Sequence, residues 1–180
     1  MTHMTQQLDT IRRIVPATGG AKRPLVTVDY IAQGIYAVPR YTIGLVRETQ
    51  ANEAYPIVMS PGDVATIVAP LMQDRPTEAL IACYLDTKNR VIALHVVSTG
   101  TLDSSLVHPR SVYQPALLHN AAGVIVAHNH PSGDPTPSVE DKRVTQRLYE
   151  SGQLLGVDLL DHVVIGDNNR WTSLKQIGAF

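Results

Sequence analysis

The chain has 180 residues, 44 % hydrophobic and 17 % charged, and its 15 Lys and Arg against 16 Asp and Glu leave a formal net charge of −1. That is enough chain for one domain with a proper core, and no apolar run reaches the ~20 residues that a membrane-spanning helix needs. The balanced charge argues against nucleic acid as the main partner, because proteins that hold a phosphate backbone carry a basic surplus or stripe.

The only local surplus is Arg12, Arg13, Lys22 and Arg23 against Asp9. Residues 1–24 show little periodicity beyond a short helix expected at 8–15, stopped by Pro16 and the Gly19-Gly20 pair. They are expected to be a flexible tail, with the domain occupying residues 25–180. Residues 1–10 hold no apolar stretch of the secretory kind. The single cysteine, Cys83, cannot close an internal disulfide, so both features fit a cytoplasmic protein. Cys83 lies in an apolar segment, which predicts a packing role rather than a nucleophile.

From residue 25 to 47 β-branched and aromatic residues suggest short strands broken at Pro39 and Gly44. Ser60-Pro61 reads as an N-cap followed by proline at the first helical position, opening a helix to about residue 74. Val64, Ile67, Val68 and Leu71 are its expected apolar face. Residues 78–85 and 91–97 read as strands around the turn 86–89, and 109–120 as a second helix. Residues 122–127 form a short, continuously apolar stretch, expected to be a strand buried on both faces. A third helix is predicted over 138–155, closed by Gly156. A strand follows at 157–165, and residues 171–177 complete the domain. Such irregular alternation predicts a mixed α+β or α/β sheet with helices packed against it.

The chemistry concentrates in one stretch, His128-Asn129-His130-Pro131-Ser132-Gly133-Asp134-Pro135-Thr136-Pro137-Ser138-Val139-Glu140-Asp141. It reads H-x-H, seven residues, then S-x-x-D. In an extended chain alternate side chains point the same way, so His128 and His130 can present imidazoles to one point. Two imidazoles and a carboxylate are a common three-ligand zinc set that leaves a fourth position for water. Each residue also has a plainer reading. Ser138 is a good helix N-cap, and Asp141 is the N3 partner of a capping box. Asp134 is a rival ligand, but in a Gly-Asp-Pro turn it is expected to bond its own backbone.

The motif matches, at every fixed position, that of the JAMM (MPN+) metallopeptidases. The wider context resembles the JAB domain of bacterial RadC-like proteins. It includes Glu78-Ala79-Leu80-Ile81-Ala82-Cys83-Tyr84-Leu85-Asp86, Ser98-Thr99-Gly100-Thr101-Leu102, Val107-His108-Pro109-Arg110 and Leu159-Leu160-Asp161-His162-Val163. The likeness is close from residue 56 to 166, weaker back to Pro39-Arg40-Tyr41, and does not cover residues 1–24. It implies a JAB/MPN-like fold, a cytidine-deaminase-like sheet flanked by helices. It further implies Zn2+ on His128, His130 and Asp141, with Glu78 as the acid/base that serves the zinc-activated water. Ser138 would steady the oxyanion, and the substrate would be a peptide or protein with its amide or isopeptide bond cleaved. His108, Asp161 and His162 fall in matching segments without an assigned role, Asp161-His162 being a possible support for a ligand imidazole. His3, His95 and His119 are read as non-functional.

Three other readings stand beside this one. The family label suggests a DNA-repair accessory or nucleic-acid-binding protein, but residues 1–55 lack the helical pattern of the helix-hairpin-helix region found in full-length RadC-like proteins. The chain therefore reads as a standalone form of the domain. A metal-binding scaffold without turnover is the second alternative. A metal-dependent nuclease is the third, disfavoured by a single metal site and few basic residues.

Overall fold

A computed structural model describes residues 27–30, 39–42, 56–72, 75–100 and 107–180. The chain divides into two units, residues 1–50 and 51–180. In the first, strands β1 (Thr27–Tyr30) and β2 (Pro39–Thr42) pair antiparallel, with Tyr30 opposite Pro39. Pro39 thus begins a strand instead of breaking one, which is where a residue without an N–H does least harm to a ladder. The expected tail at 1–24, the helix at 8–15 and Gly44 lie outside the described residues.

The second unit holds the helices α1 (Pro61–Met72), α2 (Pro109–Leu118) and α3 (Val139–Leu155). Its sheet is formed by β3 (Ala79–Leu85), β4 (Val91–Thr99), β5 (Gly123–Asn129), β6 (Asp158–Ile165) and β7 (Trp171–Ser173). The strand order is β4-β3-β5-β6-β7. β5 runs antiparallel to β3 and parallel to β6, with α3 as the crossover between the parallel pair. The expected mixed α/β sheet is what forms.

Every residue of β3 and β5 is buried, and period two divides their side chains between two cores. Leu80, Ala82, Tyr84, Val124 and Val126 face α2 and α3, packing with Val112, Tyr113, Val144 and Leu148. Ile81, Cys83, Leu85, Ile125 and Ala127 face α1 and meet Val64, Val68 and Met72. Burial pushes the Cys83 thiol up to about 12, so it packs as an inert hydrophobe.

The buried stripe of α1 is Val64, Val68 and Met72, and Leu71 is 40 % exposed. The expectation for Leu71 is therefore corrected. The i, i+4 row that the helix seats against the sheet turns by about 40° at each step, so by the last turn it has moved to Met72, which lies about 100° around the axis from Leu71. α1 opens with Ser60 and Asp63, whose Oδ2 accepts from the N–H groups of Met59 and Ser60 at 2.9 and 2.8 Å and from Ser60 Oγ at 3.0 Å. α2 is capped by His108, whose Nδ1 accepts from Arg110 N–H at 3.1 Å. That is the role the structure assigns to His108. α3 ends on Gly156 in the left-handed region, at φ 69°, as expected.

Candidate metal centre

β5 extends through His128 and Asn129, beyond the expected end at residue 127, so His128 is the sixth residue of a fully buried strand. His130 follows directly, its N–H bonded to Ile165 C=O at 2.9 Å, which holds the chain extended alongside β6. Alternation then does what the spacing requires: the Nε2 atoms of His128 and His130 lie 2.9 Å apart. The loop after His130 is pinned to the β6–β7 turn. Asp167 N–H donates to Gly133 C=O at 3.0 Å, and Arg170 Nη2 donates to the same oxygen at 2.7 Å. Gly133 sits at φ 77° with the Asp167 carboxylate where a Cβ would be, so only glycine fits.

The loop delivers the chain to Ser138, the N-cap of α3 with extended backbone angles. Its Oγ accepts from Asp141 N–H at 3.1 Å and donates to Asp141 Oδ2 at 2.7 Å, while Ser138 N–H donates to the same Oδ2 at 2.6 Å. The capping box is complete, and it aims the carboxylate. Oδ2 is occupied by two donors, and Oδ1 is left 3.3 Å from His128 Nε2. One ligand atom each from His128, His130 and Asp141 lies within 4.8 Å of the others. His128 is fully buried and Asp141 2 % exposed.

The charge state follows from these contacts. Burial alone would raise the Asp141 carboxyl. The imidazoles of His128 and His130 and the Ser138 hydroxyl outweigh it and hold the group well below the carboxylate range. Burial pushes His128 down, with Asp141 opposing, whereas the hydrogen bond to Asp141 raises His130. His130 Nδ1 faces the carbonyl of Asp134 at 2.8 Å. A carbonyl only accepts, so Nδ1 carries a proton, and in the neutral ring Nε2 is the lone-pair atom. Two ring nitrogens 2.9 Å apart need a proton or a cation between them. The donor set of two imidazole nitrogens and one carboxylate oxygen fits a divalent transition metal.

Glu78 precedes β3 by one residue. Leu80 pairs with His128 across the antiparallel β3–β5 ladder. Continuing that register by two residues sets Glu78 beside His130, on the same face. Its charge is close enough to raise both imidazoles. Asn129 tightens this arrangement, since its Oδ1 accepts from Ala79 N–H at 2.8 Å and its Nδ2 donates to Thr77 C=O at 3.3 Å. One side chain thus holds the backbone on both sides of Glu78.

Asp134 does not bring its carboxylate to the site; Oδ1 accepts from Thr136 N–H and Oγ1 at 3.1 and 2.8 Å. The pair Asp161-His162 separates into two roles. Asp161 points to the C-terminal turn, accepting from Ser173 Oγ at 2.7 Å and Lys175 N–H at 3.2 Å. His162 is fully buried against the centre, with Nε2 2.7 Å from His128 Nδ1 and Nδ1 2.6 Å from Thr145 Oγ1. Thr145 carries no motif of its own, although its spacing of four from Asp141 places it one turn along the same helix face. Asn129 is likewise unmarked in sequence, as the unassigned middle residue of H-x-H.

A mixed α/β sheet with a His-His-Asp group at the carboxyl end of a central strand, His128 and Asp141 buried and His130 half-buried, defines a candidate metal-binding domain of the kind metallohydrolases use. The family description RadC-like JAB domain matches residues 58–179, and the chain belongs to that family. A UPF0758 protein of Methanosarcina mazei is 50 % identical over 131 residues, which is 73 % of this chain and 57 % of that protein. The UPF0758 protein YsxA of Bacillus subtilis is 50 % identical over 128 residues, 71 % and 55 % of the two chains. A UPF0758 protein of Desulforudis audaxviator is 45 % identical over 140 residues, 78 % and 60 %. The chain thus spans little more than half the length of these relatives. Among the described residues no helix is long and apolar enough to cross a membrane.

Proposed function

We propose that the domain is a zinc-dependent hydrolase that cleaves an amide bond in a peptide or protein, with zinc on His128, His130 and Asp141. The observation that carries this reading is the convergence of one ligand atom each from His128, His130 and Asp141 within 4.8 Å, with His128 Nε2 3.3 Å from Asp141 Oδ1 and His130 Nε2 3.5 Å from Oδ2, and with Glu78 across the strand pair. A zinc ion there would acidify water and polarise a carbonyl. Glu78 accepts the water's proton and returns it to the departing nitrogen, the two transfers that amide hydrolysis needs. Ser138 keeps Asp141 aimed. To steady an oxyanion as well, its hydroxyl must turn away from Asp141 Oδ2, which retains the Ser138 N–H when it does. A cleft of about 910 Å³ opens beside His130, lined by α1, Arg75, Asn129, Arg170 and Trp171. That volume lies within the ordinary range for ligand pockets, and of the candidate ligands His130 is the one that lines it.

The test is metal content followed by turnover. The purified protein should carry about one zinc per chain, and His128→Ala or Asp141→Ala should lose most of it. A wild-type protein that cannot be loaded with metal overturns the reading. Against a peptide library, Glu78→Gln should keep its zinc while turnover falls by about two to four orders of magnitude. Turnover near wild type in that variant removes Glu78 from the mechanism.

A further inference from the structure

Behind His128 a second histidine and a threonine lie in a row of short contacts that ends on the backbone of a ligand residue. Thr145 Oγ1 is 2.6 Å from the carbonyl of Asp141. It is also 2.6 Å from His162 Nδ1, and His162 Nε2 is 2.7 Å from His128 Nδ1. Thr145, His162 and His128 are each fully buried, so bulk water cannot exchange with any link.

The direction of every hydrogen bond in this row follows from one atom. The Asp141 carbonyl has no hydrogen to give, so the single hydroxyl hydrogen of Thr145 points to it. The hydroxyl oxygen then accepts, and His162 Nδ1 must be the donor. Among the described residues the two ring nitrogens of His162 meet Thr145 Oγ1 and His128 Nδ1 and no carboxylate, so no ring partner calls for a second ring proton. His162 has one ring proton, already on Nδ1, so Nε2 is a lone pair. His128 Nδ1 must therefore be a donor too. That leaves His128 Nε2, which faces His130 and Asp141, as the atom without hydrogen.

We infer that His162 and Thr145 are positioning residues that lock His128 in the tautomer whose Nε2 lone pair is ready for a metal ion. The inference rests on the metal-site reading above, and it adds a regulation of that site by the backbone of its own ligand helix. Asp141 enters twice: its carboxylate closes the site, and its carbonyl sets the ring proton of His128 through two relays. Without the relay His128 is free to carry its proton on Nε2, where it blocks the site. An unlocked ring should lose about 10–100-fold in metal affinity, the usual effect of removing a partner of a ligand imidazole.

Thr145→Val is the informative variant, because it keeps the shape and removes the hydroxyl; Thr145→Ser restores the hydroxyl. The tautomer is read directly by long-range proton–nitrogen NMR of the histidine rings in chelator-treated protein. Affinity is read separately, by chelator competition for zinc and by the visible spectrum of the cobalt form. Wild type and Thr145→Ser should show His128 protonated on Nδ1 and bind metal alike. Thr145→Val should show protonation appearing on Nε2 and bind about 10–100-fold more weakly. His162→Gln, whose folding is checked by its unfolding transition, should behave as Thr145→Val does. A wild-type His128 protonated on Nε2, or a Thr145→Val variant with unchanged tautomer and affinity, overturns the relay. Failure of wild type to bind any metal, with the Nδ1 tautomer intact, overturns the metal reading and leaves the relay standing.

Discussion

Ser138→Ala probes the point where helix stability and site geometry share one hydroxyl. The substitution removes an acceptor for Asp141 N–H at 3.1 Å and a donor to Asp141 Oδ2 at 2.7 Å. Loss of an N-cap costs about 1 kcal/mol, within a range of about 0.5–2. A hydrogen bond to a charged group adds about 1.5–3 kcal/mol when nothing replaces it. Here the Ser138 N–H still serves Oδ2 at 2.6 Å, and Ser138 is exposed, so water takes over part of the lost bond. The expected loss is about 1–2 kcal/mol, or about 2–8 °C in Tm for a chain of this size. It should be measured by urea unfolding with chelator present, so that metal binding does not contribute.

Metal affinity, measured by competition, should fall as well, because Oδ1 is aimed by what holds Oδ2. Turnover should fall by about one to three orders of magnitude. Ser60→Ala supplies the control. Its hydroxyl and Asp63 make the same S-x-x-D cap at α1, with no histidine beside it. That variant should lose a similar cap energy and leave metal affinity untouched. Equal loss of affinity in both variants, or no loss of stability in Ser138→Ala, refutes the argument.

Asp134→Ala should keep the metal, because only the Asp134 backbone carbonyl reaches His130; if it loses zinc while Asp141→Ala retains it, the ligand assignment is wrong. The pH dependence of the chelator-treated protein has a worked sign. Burial lowers His128 and His162 below their ordinary value of 6.5. Below that pH the unfolded chain binds more protons, and stability falls as pH falls, by up to about 1.4 kcal/mol per pH unit for each group. His130 is raised by its bond to Asp141. Its contribution is complete below about 6.5 and is lost as pH rises through its folded value. Thermal unfolding should therefore peak near about pH 6.5, and a Tm rising steadily from about pH 5 to 8 contradicts these shifts.

The candidate ligands are legible in the amino-acid sequence because their geometry is local. Alternation along an extended strand brings His128 and His130 together, and one helical turn returns Asp141 to its own N-cap. S-x-x-D by itself says much less. It occurs twice, at Ser60 and at Ser138, and in both places it caps a helix; the histidines distinguish the second. His108 shows the opposite case, where likeness to a family segment marked a residue whose contact is a helix cap.

From its sequence alone this chain determined the order of the helices and strands over residues 56–180, most of their bounds to within two residues, and the three residues of the candidate centre, since alternation, caps and short-range spacing operate over fewer than about fifteen residues. Tertiary structure decided which face of α1 is buried, and so exposed Leu71 in favour of Met72. It decided that Glu78, distant from His130 along the chain, lies beside it, because the register of β3 on β5 sets that distance and Asn129 holds it. It also separated Asp161 from His162: adjacent residues of a strand point to opposite faces, so one ties the C-terminal turn and the other reaches His128. The physical reason is common to all three. A periodic pattern specifies which way a side chain points within its own element, but only the packing of one element on another specifies what it meets there.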